Sequence, residues 1–189
     1  MSQLLLAAFL GLLLTGTFIQ LAKRFGWGKA IRSVGPESHL SKAGTPTMGG
    51  AALLIAAALA WALFTDRANL AAELPLLLLV LASGLLGLAD DALALRRKRA
   101  AALGLEVGTG LLARYRLLGQ GAIAVGFAAW AVQNDHSLFG NAWLDVPAFA
   151  LVIVGVINAV NLTDGLDGLA AGVTAIVLVF FLASPLAAA

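Results

Sequence analysis

The 189-residue sequence has no cysteine, only two histidines and five prolines, and few charged residues. The absence of cysteine excludes a disulfide framework and any zinc site with thiolate ligands. Charged residues make up 12% of the chain, about half of the ~25% that is usual in soluble domains. Hydrophobic residues make up 61% and the mean hydropathy is +0.95, more apolar surface than a soluble globule of this length can bury. The composition therefore predicts an all-α, polytopic membrane protein.

Six apolar runs, each close to the ~20 residues that cross a bilayer, predict six transmembrane helices. The first run is followed by positive charges rather than by a small-residue cleavage site, so we expect a retained helix and not a signal peptide. Glycines such as Gly84 and Gly87 are expected to let helices approach closely, although membrane helices are rich in glycine in general. The predicted spans are residues 4–22, 47–64, 74–90, 117–133, 146–161 and 168–187.

The distribution of Lys and Arg predicts the orientation of these spans. Eleven of the twelve basic residues lie in linkers 23–46 and 91–116, and cytoplasmic loops collect such residues. Alternation of the spans then places the N-terminus outside and loop 161–167 on the cytoplasmic face. We expect one integral membrane domain over residues 1–189.

The most polar stretch between two spans is Asn158-Ala-Val-Asn161-Leu-Thr163-Asp164-Gly165-Leu-Asp167-Gly168. Polar side chains at a membrane boundary are costly unless they are paired or hydrated, so such a cluster indicates a functional site. On a helical turn, Asp164 and Asp167 would share one face and could hold a cation or a phosphate-linked ligand. The alternative interpretation is a helix-end cap in which Thr163 or Asp164 caps the following helix.

Two further linkers on the same predicted face carry unusual residues. Lys42 lies beside a Gly- and Thr-rich turn before the second span, an arrangement that suits an anionic ligand; alternatively, the lysine is merely solvated. Asp90 and Asp91 end the third span and would repel each other without a nearby cation. One of them could bind Mg²⁺ while the other acts as a base or holds a lysine.

The basic run at residues 96–99 follows this acidic pair. It is typical of an anchor near anionic lipid headgroups, and one or two of its members could contact a diphosphate. Carboxylates for Mg²⁺, cations for phosphate and Gly-rich loops on one membrane face together favour phosphoryl transfer between a soluble nucleotide and a lipid.

These loops resemble the MraY family, the phospho-N-acetylmuramoyl-pentapeptide transferases of bacterial cell-wall synthesis. The most specific strings are Lys42-Ala-Gly-Thr-Pro-Thr-Met-Gly-Gly50 and Asn161-Leu-Thr-Asp-Gly-Leu-Asp-Gly168. The resemblance runs from the first span to the sixth and keeps the order of the motifs. The matching segments are residues 35–39, 42–50, 87–91, 112–120 and 158–168.

The resemblance implies a reaction in which undecaprenyl phosphate and UDP-MurNAc-pentapeptide give lipid I and UMP, with Mg²⁺ as cofactor. It also implies a bacterial inner-membrane location with a cytoplasmic active face, a homodimer, and no nucleic acid partner. Catalysis would consist mainly of positioning and charge neutralisation.

The resemblance also implies residue roles. Asp90 would be the base or phosphate-positioning group and Asp91 would support the metal site. Asp164 and Asn161 would line the nucleotide–metal pocket, which makes Asp90, Asp91 and Asp164 the catalytic candidates and Asp91 and Asp164 the candidate Mg²⁺ ligands. The remaining substrate contacts would be Gly165, Leu166 and Asp167 on the uracil side, Lys42 and Thr47 close by, and Lys98 near the diphosphate.

Two features depart from the family pattern. Ala94 stands where the family commonly has a lysine, and Arg96 or Arg97 is the expected substitute. The family has about ten spans, with a further metal-binding Asp and a His-rich motif in later loops, whereas this sequence has no acidic residue after Asp167. We therefore expect the sequence to correspond to the N-terminal half to two-thirds of such an enzyme and to show little or no turnover alone.

Two other functions are compatible with the sequence. One is a related polyprenyl-phosphate HexNAc-1-phosphate transferase that uses UDP-GlcNAc, although the form of the first loop favours the pentapeptide substrate. The other is a non-catalytic membrane protein, such as a transporter half. Transporters place polar groups near the bilayer midplane, whereas here they gather at one membrane edge.

Overall fold

The computed structural model describes residues 2–25, 48–104 and 111–183. These residues form six α-helices and contain no β-strand, which confirms the predicted all-α class. A short 3₁₀ turn, Arg67–Asn69, precedes the third helix. The helices are α1 Ser2–Arg24, α2 Gly50–Phe64, α3 Leu70–Ala102, α4 Leu111–Gln133, α5 Ala142–Thr163 and α6 Leu169–Ala183.

Three of the described helical segments are long and apolar enough to cross a bilayer. They are Leu5–Arg24, Arg67–Arg97 and Ala142–Thr163, and two shorter apolar helices cover Gly50–Phe64 and Leu169–Phe181. Many large apolar side chains on these helices are exposed, as expected where lipid replaces protein as the neighbour. The structure therefore confirms a polytopic membrane protein.

Helix α3 is longer than the predicted span because it continues through the start of the basic linker. It has 33 residues, and after Asp91 its added part is built from Ala, Leu, Arg and Lys, which are strong helix formers. Leu103 and Gly104 form the turn after it, and Gly104 has a φ of +76°. This left-handed conformation is the usual helix-ending position of glycine.

The chain divides into two compact units, Met1–Ile123 and Ala124–Ala189. The single domain expected over residues 1–189 stays a prediction. In the first unit, α1 packs against α2 and α2 packs against α3. A β-carbon at Gly84 would overlap the Leu54 side chain, so a larger residue here would force Leu54 to move where α3 approaches α2. A β-carbon at Gly87 would meet nothing within 4 Å.

The second unit has a small core of alanines. Ala124 and Ala128 of α4 and Ala150 of α5 are buried together, and Phe149 packs against them. Small residues allow two helix backbones to come close in a membrane. The turn between α4 and α5 is fixed by Asp145, whose side chain is only 1% exposed.

Candidate functional site

The predicted acidic pair lies on α3, well inside the helix. Asp90 forms an ion pair with Arg116 of α4, with 3.2 Å between Asp90 Oδ2 and Arg116 Nη1. The two side chains are about one-third exposed, at 35% and 37%. An ion pair this exposed adds little to stability, but it holds one carboxylate oxygen of Asp90 in a defined direction.

Two contacts show how the sequence brings Arg116 to Asp90. A β-carbon at Gly119 would lie 2.9 Å from the Leu86 side chain, and Arg116 meets Asp90 four residues further along α3. As the residue number rises along α3 it falls along α4, so these segments run antiparallel. The C-terminal part of α3 therefore lies beside the N-terminal part of α4, where the second arginine of Arg114-Tyr115-Arg116 can reach the carboxylate.

Asp91 has a different environment from its neighbour. Adjacent helical residues point about 100° apart, and Asp91 makes no hydrogen bond or ion pair with any residue that the structure describes. Its side chain is partly exposed. The pair is thus divided into one carboxylate restrained by a cation and one whose oxygens remain available to a ligand.

The polar stretch after the fifth span is a turn between α5 and α6. Asp164 is the C-terminal cap residue of α5, and its backbone N–H donates to the Val160 carbonyl at 3.1 Å. Residues 164–168 are not helical, so the shared helical face considered for Asp164 and Asp167 does not form. Gly168 has a φ of +79°, a conformation that favours glycine, and α6 begins at the next residue.

Two polar side chains near the C-terminal end of α5 are satisfied within that helix. Asn158 Nδ2 donates to the Val154 carbonyl and Thr163 Oγ1 donates to the Ala159 carbonyl, both at 2.8 Å. Thr163 therefore bonds back to α5. The side chains of Asn161 and Asp164 are exposed and make no hydrogen bond within the part of the chain that the structure describes.

The uracil-side candidates Gly165, Leu166 and Asp167 lie in the same exposed turn. Lys98 lies in the last turns of α3. Lys42 and Thr47 lie outside the described residues. The structure thus brings Asn161, Asp164, Gly165, Leu166 and Asp167 together in the second unit, and it places Asp90, Asp91 and Arg116 together in the first.

The chemistry of the donors fits Mg²⁺. This ion prefers oxygen ligands and is usually held by one or two carboxylates together with substrate phosphates. Asp91 and Asp164 each present a carboxylate without a described partner. Within residues 2–25, 48–104 and 111–183, there is no group of three or more His, Cys, Asp or Glu side chains that could hold a metal ion.

Arg116 is a further candidate residue, identified by its contact with Asp90 and not by the sequence motifs. The arginine belongs to one of the matching segments, 112–120, but no role followed from the motif alone. The available signal was the antiparallel order of two neighbouring spans, which brings an acidic pair ending one span close to basic residues beginning the next.

Comparison with known proteins agrees with the resemblance. The family model described as glycosyl transferase family 4 matches residues 73–188. A phospho-N-acetylmuramoyl-pentapeptide-transferase of Deinococcus radiodurans is 40% identical over 98% of this chain and 62% of its own length.

Proteins of the same name from Frankia casuarinae and a Thermoanaerobacter species are 38% and 39% identical over 92% and 87% of this chain. The chain spans about half the length of each of these two relatives, at 52%. The predicted resemblance is therefore confirmed. No solved structure matches the chain.

Proposed function

Because the chain belongs to glycosyl transferase family 4, we propose that it acts in the transfer of phospho-MurNAc-pentapeptide from UDP-MurNAc-pentapeptide to undecaprenyl phosphate. The products are lipid I and UMP, and the reaction belongs to peptidoglycan biosynthesis. The observation that carries this proposal is 40% identity to a protein of that activity over nearly the whole of this chain.

The reaction exchanges one phosphoanhydride for another. An oxygen of the lipid phosphate attacks the β-phosphorus, which bears the sugar, and a new P–O–P bond forms to the lipid. The bond from that phosphorus to the bridging oxygen of the nucleotide breaks, and the electron pair leaves on UMP. Little covalent chemistry is asked of the protein, so its residues act by positioning and by neutralising charge.

Asp90 is proposed to orient the attacking lipid phosphate or to accept its proton. The contact with Arg116 supports this role because the arginine holds the Oδ2 atom of this carboxylate. Arg116 also places a positive charge beside a carboxylate that would otherwise repel an incoming phosphate. The positive charge of Arg116 also offsets part of the repulsion between the neighbouring carboxylates of Asp90 and Asp91.

Asp91 and Asp164 are proposed to hold Mg²⁺, and Asn161 is proposed to line the nucleotide pocket with Asp164. The bound ion would neutralise charge on the diphosphate during transfer. The exposed turn at Gly165, Leu166 and Asp167 would receive the uracil side. Lys42, Thr47 and Lys98 stay proposed contacts to the substrate.

The proposed setting is the inner membrane of a bacterium, with the N-terminus outside and the Asp90 and Asp164 ends on the cytoplasmic face. Lys and Arg are concentrated in the linkers that this orientation places inside, and the water-soluble nucleotide sugar is a cytoplasmic compound. A homodimer is proposed from the family resemblance.

The proposal is tested by UMP release in detergent with undecaprenyl phosphate and Mg²⁺. The chain is assayed alone and joined to the C-terminal part of the Deinococcus radiodurans relative that lies beyond the match. We expect the joined protein to release UMP from UDP-MurNAc-pentapeptide and not from UDP-GlcNAc, and the chain alone to release little.

Equal release from UDP-GlcNAc would assign the chain to the HexNAc-1-phosphate transferases instead. If neither nucleotide sugar yields UMP while the intact relative is active in the same assay, the non-catalytic interpretation replaces the proposal.

A further inference from the structure

The turn that joins α4 to α5, residues 134–141, has an unusual distribution of polar and apolar side chains. The carboxylate of Asp145, in the first turn of α5, is buried beneath it. Large apolar side chains are instead exposed, and Trp143 is the most exposed of them at 90%. Those more than half exposed are Leu138, Phe139, Trp143 and Leu144. This arrangement is the reverse of the one expected for a loop that projects into water.

The backbone of this α4–α5 turn is largely satisfied by the protein itself. Asp145 accepts three of the backbone N–H groups, those of Leu138, Phe139 and Asn141, at 2.8–3.1 Å. Unpaired backbone N–H groups are costly away from water. The turn can therefore leave water at a lower cost than an ordinary loop. Six of its eight N–H groups donate within the chain, those of residues 134, 136, 138, 139, 140 and 141.

The polar side chains within the apolar stretch are also bonded locally. Ser137 Oγ donates to Asp145 at 2.7 Å, and Asn141 Oδ1 accepts from the Trp143 backbone N–H at 3.0 Å. The exposed residues without such a role in this stretch, Asp135 and His136, lie at the α4 end of the turn. The turn thus has a polar end next to α4 and an apolar end next to α5.

The apolar end continues the surface of a membrane-spanning segment, Ala142–Thr163. Trp143 and Leu144 belong to that segment, and Leu138 and Phe139 precede it. The sequence has no Lys or Arg after Arg116, so no basic side chain can anchor this end of α5 to lipid phosphates. Aromatic side chains are the usual alternative anchors at the level of the headgroups. Lipid is therefore the partner that this surface fits.

We propose that the α4–α5 turn inserts Leu138, Phe139 and Trp143 into the membrane interface on the leaflet opposite Asp164. The surface is covered by lipid at the boundary between headgroups and acyl chains, while His136 stays in water. Asp145 makes the insertion possible, because it accepts N–H groups that would otherwise need water. Hydropathy alone starts the fifth span at residue 146, so this stretch is otherwise assigned to a water-exposed linker.

The test is site-directed spin labelling of the 189-residue protein in phosphatidylcholine vesicles, which is direct because the chain has no cysteine. A nitroxide is attached to Phe139→Cys, and its collision rates with oxygen and with a water-soluble nickel chelate are measured. The side chain of Phe139 is exposed and its hydrogen bond to Asp145 comes from the backbone, so the label should leave the fold intact.

The matched control is His136→Cys in the same turn. His136 is exposed, and it is preferred to Asp135, whose φ of +65° disfavours other side chains. We expect the oxygen-to-nickel collision ratio to be about threefold to tenfold higher at Phe139 than at His136, because a polar chelate is excluded from an apolar phase. Val152→Cys, which replaces an exposed residue of the α5 span, serves as the lipid reference.

Asp145→Asn tests the cause of the insertion in the protein labelled at Phe139. The amide keeps the size of the side chain but loses the charge and one acceptor oxygen, so some N–H groups of the turn need water. The oxygen-to-nickel ratio at Phe139 should then fall toward the value at His136. An unchanged ratio would overturn the role given to Asp145.

Two results with the labelled protein would overturn the proposal itself. Equal oxygen-to-nickel ratios at Phe139 and His136 would show that the whole turn lies in water. Low collision rates with both reagents at Phe139 would show that protein, such as a second copy of the chain, covers this surface instead of lipid.

Discussion

The two ends of α5 each carry an aspartate, and the two carboxylates have opposite environments. Asp145, in the first turn, is 1% exposed, whereas Asp164, the cap residue after the last turn, is exposed. They stand 19 residues apart, about 28 Å along the helix.

Asp145 has all of its hydrogen-bonding capacity used by the protein. Its oxygens accept from Ser137 Oγ at 2.7 Å and from the backbone N–H groups of Leu138, Phe139 and Asn141 at 2.8–3.1 Å. Asp164 has no side-chain hydrogen bond to any part of the chain that the structure describes. A carboxylate that the fold satisfies serves structure, and one that the fold leaves exposed at a membrane edge is available to a ligand.

The largest expected effect is the loss of UMP release when the exposed carboxylate of Asp164 is replaced. Asp164→Asn should reduce UMP release by the joined protein described above by about 100-fold or more, because it removes a charged ligand from the proposed metal site. The apparent melting temperature should stay within a degree or two, since the side chain has no described partner to lose.

The control is Asp135→Asn, an exposed aspartate in the turn between α4 and α5, which should leave UMP release unchanged. Full activity of Asp164→Asn would show that Asp164 does not belong to the proposed metal site.

The next effect concerns the buried carboxylate. Asp145→Ala should lower the free energy of unfolding by about 2–4 kcal/mol, because four donors lose their acceptor at a buried carboxylate. The measurement is thermal unfolding in detergent, in which such a loss lowers the melting temperature by several degrees. A melting curve identical to that of the unmodified protein would show that the turn does not depend on Asp145.

Asp90 has an environment intermediate between those of buried Asp145 and exposed Asp164, because it is paired with Arg116 but partly exposed. Arg116→Gln should lower UMP release by about tenfold by freeing the Asp90 carboxylate from its fixed orientation, while stability changes by less than about 1 kcal/mol. Arg116→Lys keeps the charge and should recover part of the rate. Equal UMP release by the glutamine and lysine variants would show that activity does not depend on the positive charge beside Asp90.

The smallest expected effect is on stability, and it compares a side-chain hydrogen bond at each end of α5. Asn141 Oδ1 accepts from the Trp143 backbone N–H at 3.0 Å as the N-cap of this helix. Asn141→Ala should cost about 1 kcal/mol of stability. Thr163→Val, at the other end, removes only an exposed hydroxyl that bonds within α5, and its melting temperature should not change measurably. Equal destabilisation by the two variants would contradict the assignment of structure to one end and function to the other.

Hydropathy and composition were sufficient for the class and for all six helices, because apolar runs of this length have few alternatives. Hydropathy and composition did not predict where α3 ends. The charge of the run Arg96–Arg99 predicts a linker, whereas in the structure α3 continues through these residues to Ala102, because Arg, Lys and Ala favour helix.

The candidate site was predictable where it depended on local motifs and not where it depended on packing. Asp90, Asp91, Asn161 and Asp164 follow from the sequence, and the structure shows them partly or fully exposed. The contact between Arg116 and Asp90 depends on the register of α3 against α4, which no local sequence pattern predicts. The sequence predicts no role for Asp145, because a linker aspartate looks the same in sequence whether it is buried or exposed.

The most direct test of the comparison is one thermal-unfolding experiment on the chain in detergent, with and without UDP-MurNAc-pentapeptide and Mg²⁺. Ligand binding to the folded state raises the melting temperature. We expect Asp145→Ala to melt at a lower temperature but to keep the ligand-induced rise in melting temperature. Asp164→Asn should melt at the same temperature as the unmodified protein but lose this rise. A full ligand-induced rise in Asp164→Asn, or its loss in Asp145→Ala alone, would contradict the structural role of Asp145 and the ligand-binding role of Asp164.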